Sequence, residues 1–289
     1  MNLENQKLWA GIGVEVNGSL SSREMLYKAK LDWEVSKIPS QRPKSHANQE
    51  TLRFYKAYFD CGNAEIETVG SLDGARIIWT LARLNEDFVL PGGDELKGYV
   101  LLASRHEDRE KIEIHFLTLR SASNSMLKIS SKARPTVKNS FRRSFKSTLP
   151  FLSESSLQFD EDMIQRTKNT IEMGRTAISA HAKDAQLLAG KKVTEEIAGN
   201  YMNEVFKQDS EDSEEEKQKA NARSALDAFK NAPGQNLESA QMTVWGLLTA
   251  VIYTADRLGK TPDSRLRQAW FGSNAKIKKR ALELALKLL

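Results

Sequence analysis

Between Glu65 and Leu117 short apolar runs alternate with residues that force the chain to reverse, and this rhythm restricts the fold more than any other stretch. Glu65–Val69 is followed by Asp73-Gly74, a tight-turn pair that accepts positive φ, and then by Arg76-Ile-Ile-Trp-Thr-Leu-Ala-Arg83. Pro91-Gly-Gly93 reverses the chain again before Gly98-Tyr-Val-Leu-Leu-Ala103. After the polar stretch His106–Glu110, Lys111-Ile-Glu-Ile-His-Phe-Leu117 alternates with the two-residue period of a strand. Strands joined by turns this short run antiparallel, so the segment predicts a meander with one buried face.

The flanks extend this reading. Trp9-Ala-Gly-Ile-Gly-Val-Glu-Val16 reads as extended and meets a turn at Asn17-Gly18. Ser21 or Ser22 caps a short helix through Lys30, with Glu24 placed for a reciprocal capping box. Trp33, Val35 and Ile38 give Asp32–Ile38 a strand pattern, which Pro39 and Pro43 break. Leu52, Tyr55 and Phe59 fall at helical spacing in Asn48–Phe59. From Asp160 to Leu188 the segment reads as helical, with Ile164, Ile171, Ile178 and Leu187 at seven- or near-seven-residue spacing. Thr194 caps a helix to Phe206, and Pro233-Gly234 breaks the chain. Leu237–Leu258 is the most apolar helix, and Ala275–Leu289 the last. The fold class expected is α+β: an N-terminal antiparallel β-meander with short helices, followed by a helical C-terminal half. Residues 1–150 are read as the sheet domain with a basic segment and 151–289 as the helical domain.

With 40% hydrophobic residues over 289 positions the chain can bury a core, which excludes global disorder. Cys61 is the only cysteine, so an internal disulfide and a cysteine-based zinc site are excluded. Met1–Gly11 lacks the pattern of a signal peptide, and the apolar run Val244–Tyr253 is too short to span a bilayer. The expectation is a cytoplasmic protein with no membrane partner.

Charge is unevenly spread. From Arg120 to Lys146 there are eight basic residues and no acidic one: Arg120, Lys128, Lys132, Arg134, Lys138, Arg142, Arg143 and Lys146. Ser, Thr and Asn are interleaved, and Phe141 and Phe145 flank the arginine pair at i and i+4. Cations neutralise phosphates, hydroxyls and amides hydrogen-bond them, and rings stack on unpaired bases. The run therefore points to a polyanion; the alternative is a solvated loop and helix face. A second cluster, Lys276, Lys278, Lys279 and Arg280, sits at a helix start where the dipole disfavours cations, which makes it another candidate phosphate contact. Asp209, Glu211, Asp212, Glu214, Glu215 and Glu216 form an acidic run that reads as a loop or helix start.

Catalytic signals are weak. His46, His106, His115 and His181 are not paired at metal-ligand spacing, and Gly11-Ile-Gly13 is too short for a dinucleotide fingerprint. Glu65, Glu67 and Asp73 could in principle hold a metal in a nuclease, but the solvent face of a strand explains the glutamates equally. No cofactor is implied and the chain is not read as an enzyme. Trp33, Trp79, Trp245 and Trp270 sit in apolar contexts and are read as core.

Four stretches carry a resemblance: Trp9–Val14 with Leu31-Asp-Trp-Glu-Val35; Glu67–Arg83; Asp94-Glu95 with Tyr99–Ser104; and Phe271–Leu284, with Trp245 and Tyr253 upstream. In these the chain resembles phage/plasmid-like proteins grouped as a domain of unknown function. It departs from them where Ile38–His46 is too short for a hairpin, and where Ala122-Ser-Asn-Ser125 replaces a cysteine-containing stretch. The arrangement is also similar to single-strand annealing proteins of phage recombination. These likenesses imply a homo-oligomer in a bacterial cytoplasm that holds or anneals single-stranded DNA through a basic surface. The alternative they imply is a protein-interaction module that inhibits a host defence or replication factor.

Overall fold

The structure, a computed structural model, describes residues 7–16, 20–32, 47–105, 112–129, 159–207 and 215–289. Within them lie β1 (Gly13–Glu15), α1 (Ser22–Lys28), α2 (Ala47–Gly62), β2 (Glu65–Leu72), β3 (Ile77–Leu90), β4 (Asp94–Arg105), β5 (Ile112–Arg120) and β6 (Ser125–Ile129). The helical half contributes α3 (Glu161–Gly190), α4 (Glu195–Phe206), α5 (Glu215–Asn231), α6 (Val244–Arg257), α7 (Pro262–Phe271) and α8 (Ser273–Leu286). The α+β class read from the sequence is what the chain adopts. The strands form one antiparallel sheet in the order β1-β2-β3-β4-β5-β6.

Local chemistry sets the element ends. The Ser21 hydroxyl accepts from the Glu24 N–H at 3.2 Å while the Glu24 carboxylate accepts from the Ser21 N–H at 2.7 Å, the expected capping box. Asp73 and Gly74 turn β2 into β3 with φ of 57° and 62°. Thr194 caps α4 as expected, and the acidic residues Glu215 and Glu216 occupy the first turn of α5. Most of the Asp32–Ile38 strand pattern lies outside the described residues. The most apolar helix starts at Val244 rather than Leu237, because Met242 takes φ 53° and the Thr243 hydroxyl caps the Gly246 N–H.

The sheet is buried on both faces, where the sequence predicted one. Ile78, Ala82, Val100, Leu102, Phe116 and Leu127 lie in a core shared with α2, α3 and α6. Trp79, Leu81, Tyr99, Leu101, Leu117 and Leu119 lie in a second core with Trp9 and with Leu266, Ala269 and Trp270 of α7. The Trp79 and Trp270 rings meet edge-on at 5.0 Å. Burying a large apolar side chain contributes roughly 2–3 kcal/mol, so α7 and the Trp9 segment form a true second layer. The continuous apolar run Ile77-Ile-Trp-Thr-Leu-Ala82 is the signature of such two-sided burial. Gly174 lets α3 approach the Phe116 ring, which any side chain there would strike.

Candidate nucleic-acid interface

The predicted contacts divide into three groups. Lys132, Arg134, Lys138, Arg142, Arg143 and Lys146 lie outside the described residues, as do Phe141 and Phe145. Lys128 lies on β6 opposite Leu117 and is half-buried. Burial holds its ammonium below the usual lysine range, and the Glu113 carboxylate works against that shift. Glu113 also pairs with Arg105 at 3.6 Å and with His115 at 3.1 Å, and Arg105 lies over the Phe271 ring at 5.6 Å.

Arg120 requires a correction. It is only 3% exposed and cannot line a groove for a polymer. Its Nε donates to Asp94 Oδ1 at 2.8 Å and its Nη2 to the Gly234 carbonyl at 2.7 Å. Asp94, fully buried at the start of β4, also accepts from the Ser239 hydroxyl at 2.8 Å and the Trp245 indole N–H at 3.0 Å. A buried guanidinium needs a counter-charge, which Asp94 supplies, and its Nε and Nη2 are hydrogen-bonded while Nη1 is buried with no partner among the described residues. Arg120 is therefore a strut between the sheet and the segment that leads into α6.

The second predicted cluster is dispersed in the same way. Lys278 is buried and donates to Asp256 Oδ1 at 2.6 Å and to the Met126 carbonyl at 2.7 Å. Arg280 pairs with Glu204 at 2.8 Å, and Lys279 with Glu283 at 3.6 Å. Lys276 alone of the four is exposed without an ion pair among the described residues.

The candidate catalytic acids do not converge. Glu67 accepts the Tyr99 hydroxyl at 2.9 Å and lies 3.6 Å from Arg83. Asp73 sits beyond the far end of β2, where its N–H donates to Asp263 and its carboxylate lies 3.9 Å from Arg267. A strand advances about 3.3 Å per residue, which separates Asp73 from Glu65 by roughly 25 Å. Among the described residues no three His, Cys, Asp or Glu side chains are grouped to hold a metal ion.

His181 is buried on α3 and, with Arg120 and Ser123, lines a cavity of about 10 Å³, the scale of one water. Burial pushes its imidazole down to about 4. Unfolded, the ring titrates near 6.5, so the unfolded chain takes up the proton first. Stability associated with His181 is therefore lost as pH falls from about 6.5 through 4, by roughly 3 kcal/mol across that window. Urea denaturation between pH 7 and 4.5 should show a steeper decline for the native sequence than for His181→Gln. Equal declines would remove His181 as the source.

One site escaped sequence reasoning. Lys7, Arg257 and Arg265 converge with Asn124, Asp256 and Pro262 on an open pocket of about 210 Å³. These residues come from the N-terminal turn, the β5–β6 turn, the end of α6 and the start of α7, so no local spacing announces them.

The profile of a family described as Domain of unknown function (DUF932) matches residues 37–149 and 156–281. No curated protein and no solved structure matches the chain. Among the described residues no helix is long and apolar enough to cross a membrane.

Proposed function

Because the chain belongs to the family described as Domain of unknown function (DUF932), whose description carries no activity, we propose a function from its own chemistry: it holds single-stranded nucleic acid along the basic segment that follows β5. The observation that carries this reading is the acid-free run Lys128–Lys146, with seven cations interleaved with hydroxyl and amide side chains. Arg120 is not part of the contact set, since Asp94 already neutralises it. The resemblance to phage and plasmid proteins and to single-strand annealing proteins favours DNA and an oligomeric assembly. Phosphate contacts of this kind read charge rather than sequence, and Phe141 and Phe145 supply rings on which bases can stack.

The test is a salt titration of binding to a labelled single-stranded oligonucleotide, with mass measured on the same sample. Each phosphate neutralised contributes about −0.7 to the slope of log K against log salt. The double substitution Arg142→Ala/Arg143→Ala should weaken binding and flatten the slope by roughly 1.4. Binding that responds neither to salt nor to these substitutions overturns the reading.

A further inference from the structure

The cavity between α3 and the β5–β6 end of the sheet gathers buried polar atoms that the protein does not pair with one another. Arg120 Nη1, the Ser123 hydroxyl and both ring nitrogens of His181 have no hydrogen-bond partner among the described residues. The three side chains line one space of about 10 Å³, and none is more than 3% exposed. Buried polar groups are almost always satisfied, either by protein or by ordered water. Orphaned atoms on three side chains around one space therefore point to a shared partner.

The other polar side chains named in this lining have known engagements. The Trp245 indole N–H donates to Asp94 at 3.0 Å. The Ser125 hydroxyl donates to the Ser123 carbonyl at 3.3 Å, and the Thr249 hydroxyl to the Trp245 carbonyl at 3.0 Å. Leu96, Leu127 and Ile252 supply apolar wall. What is left over has a definite character. Arg120 Nη1 can only donate, a neutral imidazole donates from one nitrogen and accepts at the other, and a serine hydroxyl does either. The Arg120 charge is balanced by Asp94 at 2.8 Å, so the space offers an ion no uncompensated charge. A small neutral molecule that both accepts and donates meets the demand. A buried water needs about 10–15 Å³ and two to four polar partners. The cavity meets the lower limit of that volume and supplies three partners, so it takes one water and nothing larger.

We propose that this cavity is a binding site for one internal water molecule, which accepts from Arg120 Nη1, donates to a ring nitrogen of His181 and shares a hydrogen bond with the Ser123 hydroxyl. The water ties α3 to β5 and to the turn that follows it, and so adds a third element to the Asp94–Arg120 strut. The inference does not rest on nucleic-acid binding, and its tests involve no nucleic acid.

The experiment is a crystal structure of the full chain at a resolution that orders internal solvent. One density peak is expected about 2.7–3.2 Å from Arg120 Nη1 and within the same range of Ser123 Oγ or a His181 nitrogen. A dry cavity, or one closed by a direct bond between Arg120 and His181, overturns the site. Crystals soaked in bromide distinguish an ion from water, and an anomalous peak in the cavity also overturns it. In solution, Ser123→Val puts a methyl group into the space and removes the hydroxyl. It should expel the water and shift the urea midpoint downward, although it adds apolar volume. Ser123→Ala leaves room for the water and should shift the midpoint less. A Ser123→Val chain as stable as the native one would show that these buried groups lose nothing when water is excluded, which refutes the bridge. If Ser123→Val does not fold, the native crystals still decide.

Discussion

Asp94→Ala should lower the free energy of unfolding by about 4 kcal/mol or more, because it strands a buried guanidinium and unpairs two further donors. Asp94 has no exposed surface and accepts from Arg120, Ser239 and Trp245. After substitution Arg120 keeps the Gly234 carbonyl but loses its counter-charge. Breaking a buried pair from one side costs about 3–5 kcal/mol, and each orphaned neutral donor adds about 1. Asp94→Asn is the informative companion, since it preserves shape and removes charge. Urea denaturation should show a reduced midpoint with an unchanged slope for Asn, and a variant within 1 kcal/mol of native would show that Arg120 finds solvent instead. The damage should be mechanical as well as energetic, because these bonds join β4 and β5 to the chain that enters α6.

Lys278→Ala should cost about 3–5 kcal/mol for a related reason. Asp256 and Lys278, each 1% exposed, grip opposite ends of one residue on the edge strand β6. The Met126 N–H donates to Asp256, and the Met126 carbonyl accepts from Lys278. The side chains thus complete the edge as a neighbouring strand would, and they occupy hydrogen-bonding groups that could otherwise recruit another chain. Burial already pushes the Asp256 carboxyl up, with Lys278, the Met126 N–H and Arg257 pulling it down. Without Lys278 the carboxyl should rise further and take a proton, so the deficit of the variant should narrow as pH is lowered. A deficit independent of pH would mean that the lost ammonium is replaced by another cation. A double-mutant cycle with Asp256→Asn measures the coupling directly.

Much of the fold was legible in turn and cap chemistry. Asp73-Gly74, Pro91-Gly-Gly93, the Ser21–Glu24 box and the Thr194 cap each specify their geometry within four residues. Other elements were hidden because their signals were short or ambiguous. Strand β6 is five residues long, and its Lys128 made it look like the start of the basic run. Helix α7 carries both a Thr261 cap and Pro262 in its first turn, yet Leu266, Ala269 and Trp270 are its only buried side chains, too few for a clear stripe. The charge run was misjudged at one end for a different reason. Composition counts Arg120 as a free cation, whereas its partner Asp94 is 26 positions away and becomes its neighbour only when β4 pairs with β5. The pocket of Lys7, Arg257 and Arg265 was illegible for the same physical reason, since only tertiary packing brings it together.

The roofing of the sheet by α7 and the Trp9 turn on one side, and by α2, α3 and α6 on the other, has a consequence for any nucleobase. Proteins that splay a strand across an open pleated surface need bare aromatic rings on it. Here Trp79 and Tyr99 are already covered, so a base can find no platform there. Whatever grips a strand must do so from the rim and the loops, and the grip should tolerate almost any order of bases.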